Sequence, residues 1–357
     1  MRLKSVNRDC ILDAGNNLYK IHDDYINIYK LDMGIPFAAI RPGTNEVVGY
    51  FEFREQVLRG WSTVYPVPLE TAKALINSPV PAKSLYLTIK RYMSHWARET
   101  NAKNFVVGIS GGKDSTVVAM LLCAIFGKER VYGVMMPQGE QSDIQDSIAV
   151  CNILGIHQTT VNIGGSVSAI TDEIYKNRSK SGIYLTKDMD INLPARIRMA
   201  ALHAVGQCVD GRVINTSNLS EDMVGYSTQF GDNAGAYAPI QGLTVTEVRE
   251  LGKYLIDVLD IDENKMYHSQ NIGDCVSARY KLQTLIYKTP VDGLQSQTDE
   301  ERLGFTYSEL DKFIRFNEGT DEFKDMIREK YKKNKFKLAI VRIPQPKFDY
   351  LNNFVKD

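Results

Sequence analysis

The sequence predicts an α/β protein built on a doubly wound parallel sheet with helices on both faces, preceded by a small N-terminal α+β unit. Three observations lead there. Beyond about residue 80, short β-prone runs alternate with helix-length segments, which requires crossover connections and so parallel strands. Before residue 80, short β-prone runs follow one another, the last two separated by turn formers. The 357 residues are 43% hydrophobic, enough to bury a substantial core.

Residues 25–29 (YINIY), 37–40 (FAAI) and 47–53 (VVGYFEF) are the early β-prone runs, with Pro42-Gly43-Thr44-Asn45 a turn between the last two. They suggest a small antiparallel unit. Pro66, Pro68, Pro79 and Pro81 then bracket at most one short helix and mark a linker. The domain boundary therefore falls near residue 80, giving an N-terminal unit of residues 1–80 and a main domain of residues 81–357. Leu85, Ile89, Tyr92, Met93 and Trp96 follow helical spacing, the pattern of an amphipathic helix docked on what comes next.

Residues 104–109 (NFVVGI) read as a buried strand, 115–126 as a helix closed by Gly127, and 131–136 (VYGVMM) as a second strand. A helix over 142–154 carries Ile144, Ile148, Cys151 and Leu154 on one stripe and ends at Gly155. Residues 159–163 form a third strand, 193–209 a helix, and 212–216 a fourth strand after the Asp210-Gly211 turn. Ligands of such sheets bind where loops leave the carboxyl ends of strands. Residues 110–115 and 216–221 are at such ends.

Composition narrows the function. Lys and Arg (43) balance Asp and Glu (43), which argues against a surface devoted to phosphate backbones, so no nucleic-acid partner is expected. The longest apolar runs fall short of the roughly 18–20 residues of a membrane helix, and the N-terminus lacks a signal pattern. A cytoplasmic location with no membrane contact is the expectation. The five cysteines (Cys10, Cys123, Cys151, Cys208, Cys275) are odd in number and dispersed, indicating neither a disulfide framework nor zinc.

The first strand runs into Ser110-Gly111-Gly112-Lys113-Asp114-Ser115 and then into a helix. Two glycines let the backbone approach a ligand, and N–H groups at a helix start suit phosphate. A Walker loop requires Ser or Thr directly after Gly-Lys, where Asp114 stands, and no G-x-G-x-x-G follows the strand. Both of those nucleotide loops fit poorly.

Gly108-Ile109-Ser110-Gly111-Gly112-Lys113-Asp114-Ser115 instead resembles the pyrophosphate loop of N-type ATP pyrophosphatases, which cleave ATP between the α and β phosphates. Four later blocks resemble, in order and spacing, those of the NAD synthetase family: 192–199 (NLPARIRM), 216–221 (TSNLSE), 225–232 (GYSTQFGD) and 297–307 (QTDEERLGFTY). The similarity covers roughly residues 85–335. It implies an adenine nucleotide alpha hydrolase-like fold and ATP-dependent amidation of deamido-NAD through an acyl-adenylate. It implies residues 108–115 and Thr216 for ATP, Asp114 and Glu221 for Mg²⁺, and Arg196, Gln229, Asp232 and Lys335 for deamido-NAD. Asp114, Lys113 and Glu221 are then the catalytic set. The family also implies a homodimer.

The same residues have plainer readings. Without the resemblance, exposed acids are the favoured reading of Asp114 and Glu221, and Lys113 is equally consistent with a solvated side chain. Arg196 and Arg198, two apart on a helix and so about 200° around it, cannot both face one pocket. A helix cap alone would account for Ser220. Thr298 with Glu301 and Thr306 with Glu309 have capping-box spacing, so that block needs no chemistry. Glutamine-using relatives carry an amidase domain of some hundreds of residues, and only about 80 residues precede the similar region, so free ammonia is the expected donor. The family pattern fails at Gln229 (usually Lys), Ala236 (Asp), Val245 (Lys), Val291 (Thr or Ser) and Asn334-Lys335 (His-Lys), which leaves open another amidating or ligating enzyme of this class, or a degenerate nucleotide-binding regulator.

Overall fold

The computed structural model describes residues 80–140, 144–262, 264–268, 275–288 and 298–339, with 179–181 as backbone only. It also gives the backbone of strands at 10–14, 17–21, 27–28, 37–40, 47–56 and 61–66. The chain divides into two units after Ser84. Val291, Gln297 and most of the proline-rich stretch lie outside the described residues.

The first unit holds strands β1 (Cys10–Ala14), β2 (Asn17–Ile21), β3 (Asn27–Ile28), β4 (Phe37–Ile40), β5 (Val47–Gln56) and β6 (Trp61–Pro66). They form one sheet in the order β2-β1-β6-β5-β4-β3. Neighbours are antiparallel except β1 and β6, which run parallel through Ile11↔Thr63 and Leu12↔Val64. Of the early runs, 37–40 and 47–53 fall within β4 and β5, and only Asn27 and Ile28 of 25–29 are described, as β3. β1, β2 and β6 were not singled out: the first two are only five residues long and show no clean alternation, and the third runs into Pro66.

The second unit opens with α1 (Ala82–Glu99), which buries Leu85, Ile89, Met93 and Trp96 as its spacing requires. Then come β7 (Asn104–Gly108), α2 (Lys113–Phe126), β8 (Val131–Met135), α3 (Ile144–Leu154), β9 (His157–Thr160), α4 (Gly164–Ser181), α5 (Lys187–Cys208) and β10 (Gly211–Val213). The sheet order is β10-β7-β8-β9, all parallel. The chain winds outward from β7 to β9, and α4 and α5 then return it to the opposite side of β7. Winding reverses between β7 and β10, so the carboxyl ends of those two strands flank the switch point at which α/β sheets bind ligands.

The core follows from the strand pattern. Phe105, Val106 and Val107 are fully buried, as are Val117, Val118 and Leu121 of α2. On that side α2 packs on α7 (Val245–Val258) and α8 (Ala278–Tyr287), while α5 lies against β7 and β10. Each such aliphatic side chain stabilises the fold by about 1.5–3 kcal/mol. Cys123 and Cys151 are core thiols that burial pushes up to about 12, which makes them inert. No helix among the described residues is long and apolar enough to cross a membrane.

Three expectations are corrected. The helix placed at 193–209 begins at Lys187, where Thr186 caps it by accepting from Met189 N, and it runs through Pro194. A proline resembles a helix start, but here it forfeits one internal hydrogen bond and the helix continues. The strand placed at 159–163 is paired at 157–160 with its side chains exposed, being at the sheet edge. Beyond it, Val161 N and Ile163 N still donate to Met135 O and Pro137 O. The strand placed at 212–216 ends at Val213, and Ile214 bridges to Tyr237 instead.

Candidate active site

β7 delivers the glycine loop. Ile109 N still donates to Val134 O, after which the chain turns at Gly111, φ +76°. A Cβ there would lie 2.7 Å from Asp146 Cβ and 3.0 Å from Ser147 N, so the first turn of α3 excludes any side chain. Asp146 is itself fixed by Lys281 (2.8 Å) and Lys288 (2.7 Å), whose hydrogen bonds outweigh burial and hold its carboxyl below the usual range. The loop closes on itself: Ser110 Oγ accepts from Gly112 N (3.2 Å) and meets Ser115 Oγ at 3.1 Å, and Thr116 Oγ1 donates to Gly112 O (2.8 Å). Gly112 is the N-cap of α2, and no side chain caps that helix. Its first-turn N–H groups are therefore left to an anion.

Lys113 and Asp114 open α2, and Glu221 belongs to α6 (Leu219–Val224) after β10. The Lys113 side chain is only 3% exposed, and its Nζ donates to Asp114 Oδ2 (2.8 Å) and Glu221 Oε1 (3.2 Å). Two residues far apart in sequence thus converge on one ammonium because their strands are neighbours. Asn218, fully buried, joins them: its Nδ2 donates to Asp114 Oδ1 (3.1 Å), and its Oδ1 caps α6 by accepting from Glu221 N (3.0 Å). Burial works against the Lys113 ammonium, but Asp114 and Glu221 outweigh it and raise its pKa, so it is a cation. Burial pushes the Glu221 carboxyl up to about 8, with Lys113 pulling down and Asp114 pushing up.

The block assigned no chemistry lies against this cluster. Both expected capping boxes are present, at Thr298/Glu301 and Thr306/Glu309, starting α9 (Asp299–Leu303) and α10 (Tyr307–Phe316). They place the Tyr307 ring 5.4 Å from Lys113 Nζ, and Asp299 Oδ1 accepts from Tyr226 (2.8 Å). Asp311 accepts from Ser220 Oγ (2.5 Å) and Thr246 N (2.7 Å), so Ser220 is a tie to α10 and the cap is Asn218. The signal was present in the sequence as Tyr307 and Asp311, four apart on one helix, but the caps explained the block without them.

The remaining expected residues gather less tightly. Thr216 follows buried Asn215, whose amide donates to Asp232 O (3.0 Å) and Ala234 O (3.1 Å). Arg196 is exposed and donates to Gln229 O (3.2 Å); Arg198 turns the other way, to Met136 O (3.1 Å). Asp232 Oδ1 accepts from Thr228 N (2.7 Å). Lys335 is exposed at the end of α11 (Asp321–Asn334), whereas Lys337 reaches this loop, donating to Gly225 O (2.8 Å) and Ser227 O (3.1 Å). Asn334 packs on Gly225, where a Cβ would sit 2.2 Å from Asn334 Cβ. Val245 is fully buried, its N–H on Ser220 Oγ (3.0 Å), and so faces the core.

A family model described as NAD synthase matches residues 85–348, the span that contains all of these groups. The chain belongs to the NAD synthase family. It is similar to the NH(3)-dependent NAD(+) synthetase of Thermococcus kodakarensis, 34% identical over 228 residues, 64% of this chain and 78% of that protein. The corresponding protein of Methanococcus aeolicus is 37% identical over 236 residues, 64% of this chain and 80% of that one. Among solved structures, NMN synthetase from Francisella tularensis superposes with a TM-score of 0.60 at 27% identity, covering 74% of this chain and 99% of that one. The NH3-dependent NAD synthetase from Campylobacter jejuni, at 24% identity and a TM-score of 0.52, shares the fold.

Proposed function

We propose that this chain uses ATP and ammonia to amidate deamido-NAD to NAD, releasing AMP and pyrophosphate. The observation that carries the reading is the cluster of Lys113, Asp114, Asn218 and Glu221 beside an uncapped helix start at the switch point. In the first step the nicotinate carboxylate attacks the α-phosphorus of ATP, and the bond to the β-phosphate breaks. In the second, ammonia attacks the acyl carbon of the adenylate and AMP leaves. The protein positions the reactants and stabilises charge, and needs no covalent nucleophile. Residues 108–115 cradle the phosphates and Thr216 takes the nucleotide. Arg196, Gln229, Asp232 and Lys335 hold the acid, and Lys337 fixes the loop that carries Gln229 and Asp232.

Mg²⁺ suits the carboxylate pair. Among the described residues no three His, Cys, Asp or Glu side chains gather, and one or two carboxylates, completed by phosphate oxygens and water, is the donor set Mg²⁺ takes. Held by Asp114 and Glu221, it would offset charge building on the phosphates.

A cytoplasmic homodimer completes the reading. Of the 22 residues of α5 only Pro194 and Gly206 are buried, and Tyr175, Ile183 and Tyr184 nearby in sequence are exposed, which supports a partner copy on this face. Light scattering that finds a monomer would reject it. The activity is tested by incubating the protein with Mg-ATP, ammonium and deamido-NAD, with nicotinate mononucleotide run in parallel because a similar solved structure is an NMN synthetase. NAD and AMP in equal amounts is the expected result. Pyrophosphate release only with the mononucleotide or another acid would move the substrate assignment, and ATP binding without turnover would make this a regulator.

A further inference from the structure

Lys113 is charged, almost wholly enclosed, and shared by two carboxylates from different strand ends. Both oxygens of Asp114 are engaged, Oδ2 by Lys113 and Oδ1 by Asn218. Glu221 is held by its backbone to Asn218 and by Oε1 to Lys113. The Tyr307 ring lies against the ammonium as well. One cation therefore already balances the pair in the protein alone. A divalent cation arriving at the same carboxylates meets a positive charge within hydrogen-bonding distance of each of them, in a partly dry site where like charges repel far more strongly than in water.

We propose that Lys113 is a stand-in cation, its ammonium and a divalent metal being alternative occupants of the space between Asp114 and Glu221. The inference rests on the reading that these two residues are the metal ligands. It assigns the lysine two duties. Without metal it prevents Asp114 and Glu221 from repelling each other and opening the joint between α2 and α6. When metal enters, the lysine is evicted from the pair, and its charge is released at the head of α2, beside the loop left open to phosphates. Metal binding then costs the breaking of two charge-assisted hydrogen bonds, so the protein alone binds metal weakly.

The test uses Mn²⁺ alone with no nucleotide, so it is independent of whether deamido-NAD is the substrate. Mn²⁺ affinity is measured by paramagnetic resonance and titration calorimetry on the full chain and on Lys113→Gln, Lys113→Met and Lys113→Arg. The neutral variants are expected to bind Mn²⁺ about ten- to a hundredfold more tightly than the parent, and the arginine variant no more tightly. Their melting points should fall in chelator and recover with Mn²⁺, while the parent melts almost equally in both. Lys113→Met keeps most of the side-chain length under Tyr307 and guards against a variant that fails to fold for lack of packing. Equal Mn²⁺ affinity in parent and neutral variants, tightening in the arginine variant too, or no Mn²⁺ binding in any of them would each overturn the proposal.

Discussion

At the carboxyl end of β7, Lys113, Asp114, Asn218 and Glu221 partner one another, and the glycine loop satisfies itself through Ser110 and Ser115. The stretch from 222 to 232 is built differently. Asp222 Oδ1, Ser227 Oγ and Gln229 Nε2 are buried there without a hydrogen-bond partner among the described residues. That stretch also contains Gln229, one of the departures from the family pattern. A buried polar atom left alone costs about 1–3 kcal/mol, and the second region holds three such side-chain atoms, where the first has the Tyr307 hydroxyl beside its open helix start. The contrast separates the proposed phosphate end, whose charged side chains partner one another around an open helix start, from the proposed acid end, which leaves buried polar side-chain atoms unpaired.

The sharpest way to break this comparison is at the carboxylates. Asp114→Asn and Glu221→Gln should each reduce AMP formation about a thousandfold or more while circular dichroism remains that of the parent. Turnover near the parent's in either variant would remove that residue from the phosphate end. Next in size is a pH effect from the other region. Burial pushes Asp222 up to about 6 from an ordinary 3.8, with Gln241 pulling back and Asp232 adding to the rise. Because the folded form holds its proton more tightly, stability falls as pH rises from about 4 to 6, by about 3 kcal/mol in all. Asp222→Asn should therefore melt above the parent at pH 8 and level with it near pH 4; equal melting at pH 8 would show the carboxyl to be harmless.

Asn218 sharpens the comparison by splitting structure from chemistry. Asn218→Ala should cost about 0.5–2 kcal/mol of stability through the lost cap and lower the turnover number roughly tenfold or more. Asn218→Asp keeps a capping oxygen but faces Asp114 with a like charge. It should retain much of the stability and little of the activity, whereas a variant as active as the parent would make Asn218 only a cap. The smallest effect is expected at the acid end. Gln229→Lys with Ala236→Asp should lower the Michaelis constant for deamido-NAD several-fold, each charged hydrogen bond being worth roughly 1.5–3 kcal/mol before desolvation. A rise instead would mean that the pocket is fitted to neutral side chains.

Much of the phosphate end was legible because its determinants are local. A strand, two glycines and a helix start are adjacent in sequence, and only the pairing of β10 with β7 was needed to bring Glu221 to Asp114. Tyr307 and Asp311 were missed for the opposite reason: their partners lie far back in the chain, and a sufficient local account, two capping boxes, hid a long-range one. Val245 misled by alignment, since its position in the family pattern suggested contact with ATP while its placement one residue past the Thr244 cap turned it into the core. Lys337, two residues past the Lys335 that the family pattern singled out, is the lysine that reaches the 225–232 loop, a contact with no local signal in the sequence.

Helix α1 has a bearing on how the chain can be divided. Its Trp96 ring lies tilted against Tyr237, centroids 4.7 Å apart, the residue that bridges to Ile214 beyond β10, and Tyr86 donates to Ala124 O at the end of α2. The helix thus reaches the structural supports of both halves of the site, although none of its residues touches the cluster. A shortened protein starting near residue 80 would retain that brace, while one starting at residue 100, just before the first strand of the parallel sheet, would bare the apolar surface that Leu85, Ile89, Met93 and Trp96 cover and would aggregate. α1 is thus a collar on the parallel sheet: the cooperative folding unit starts ahead of Leu85 and is longer than the strand-and-helix alternation it encloses.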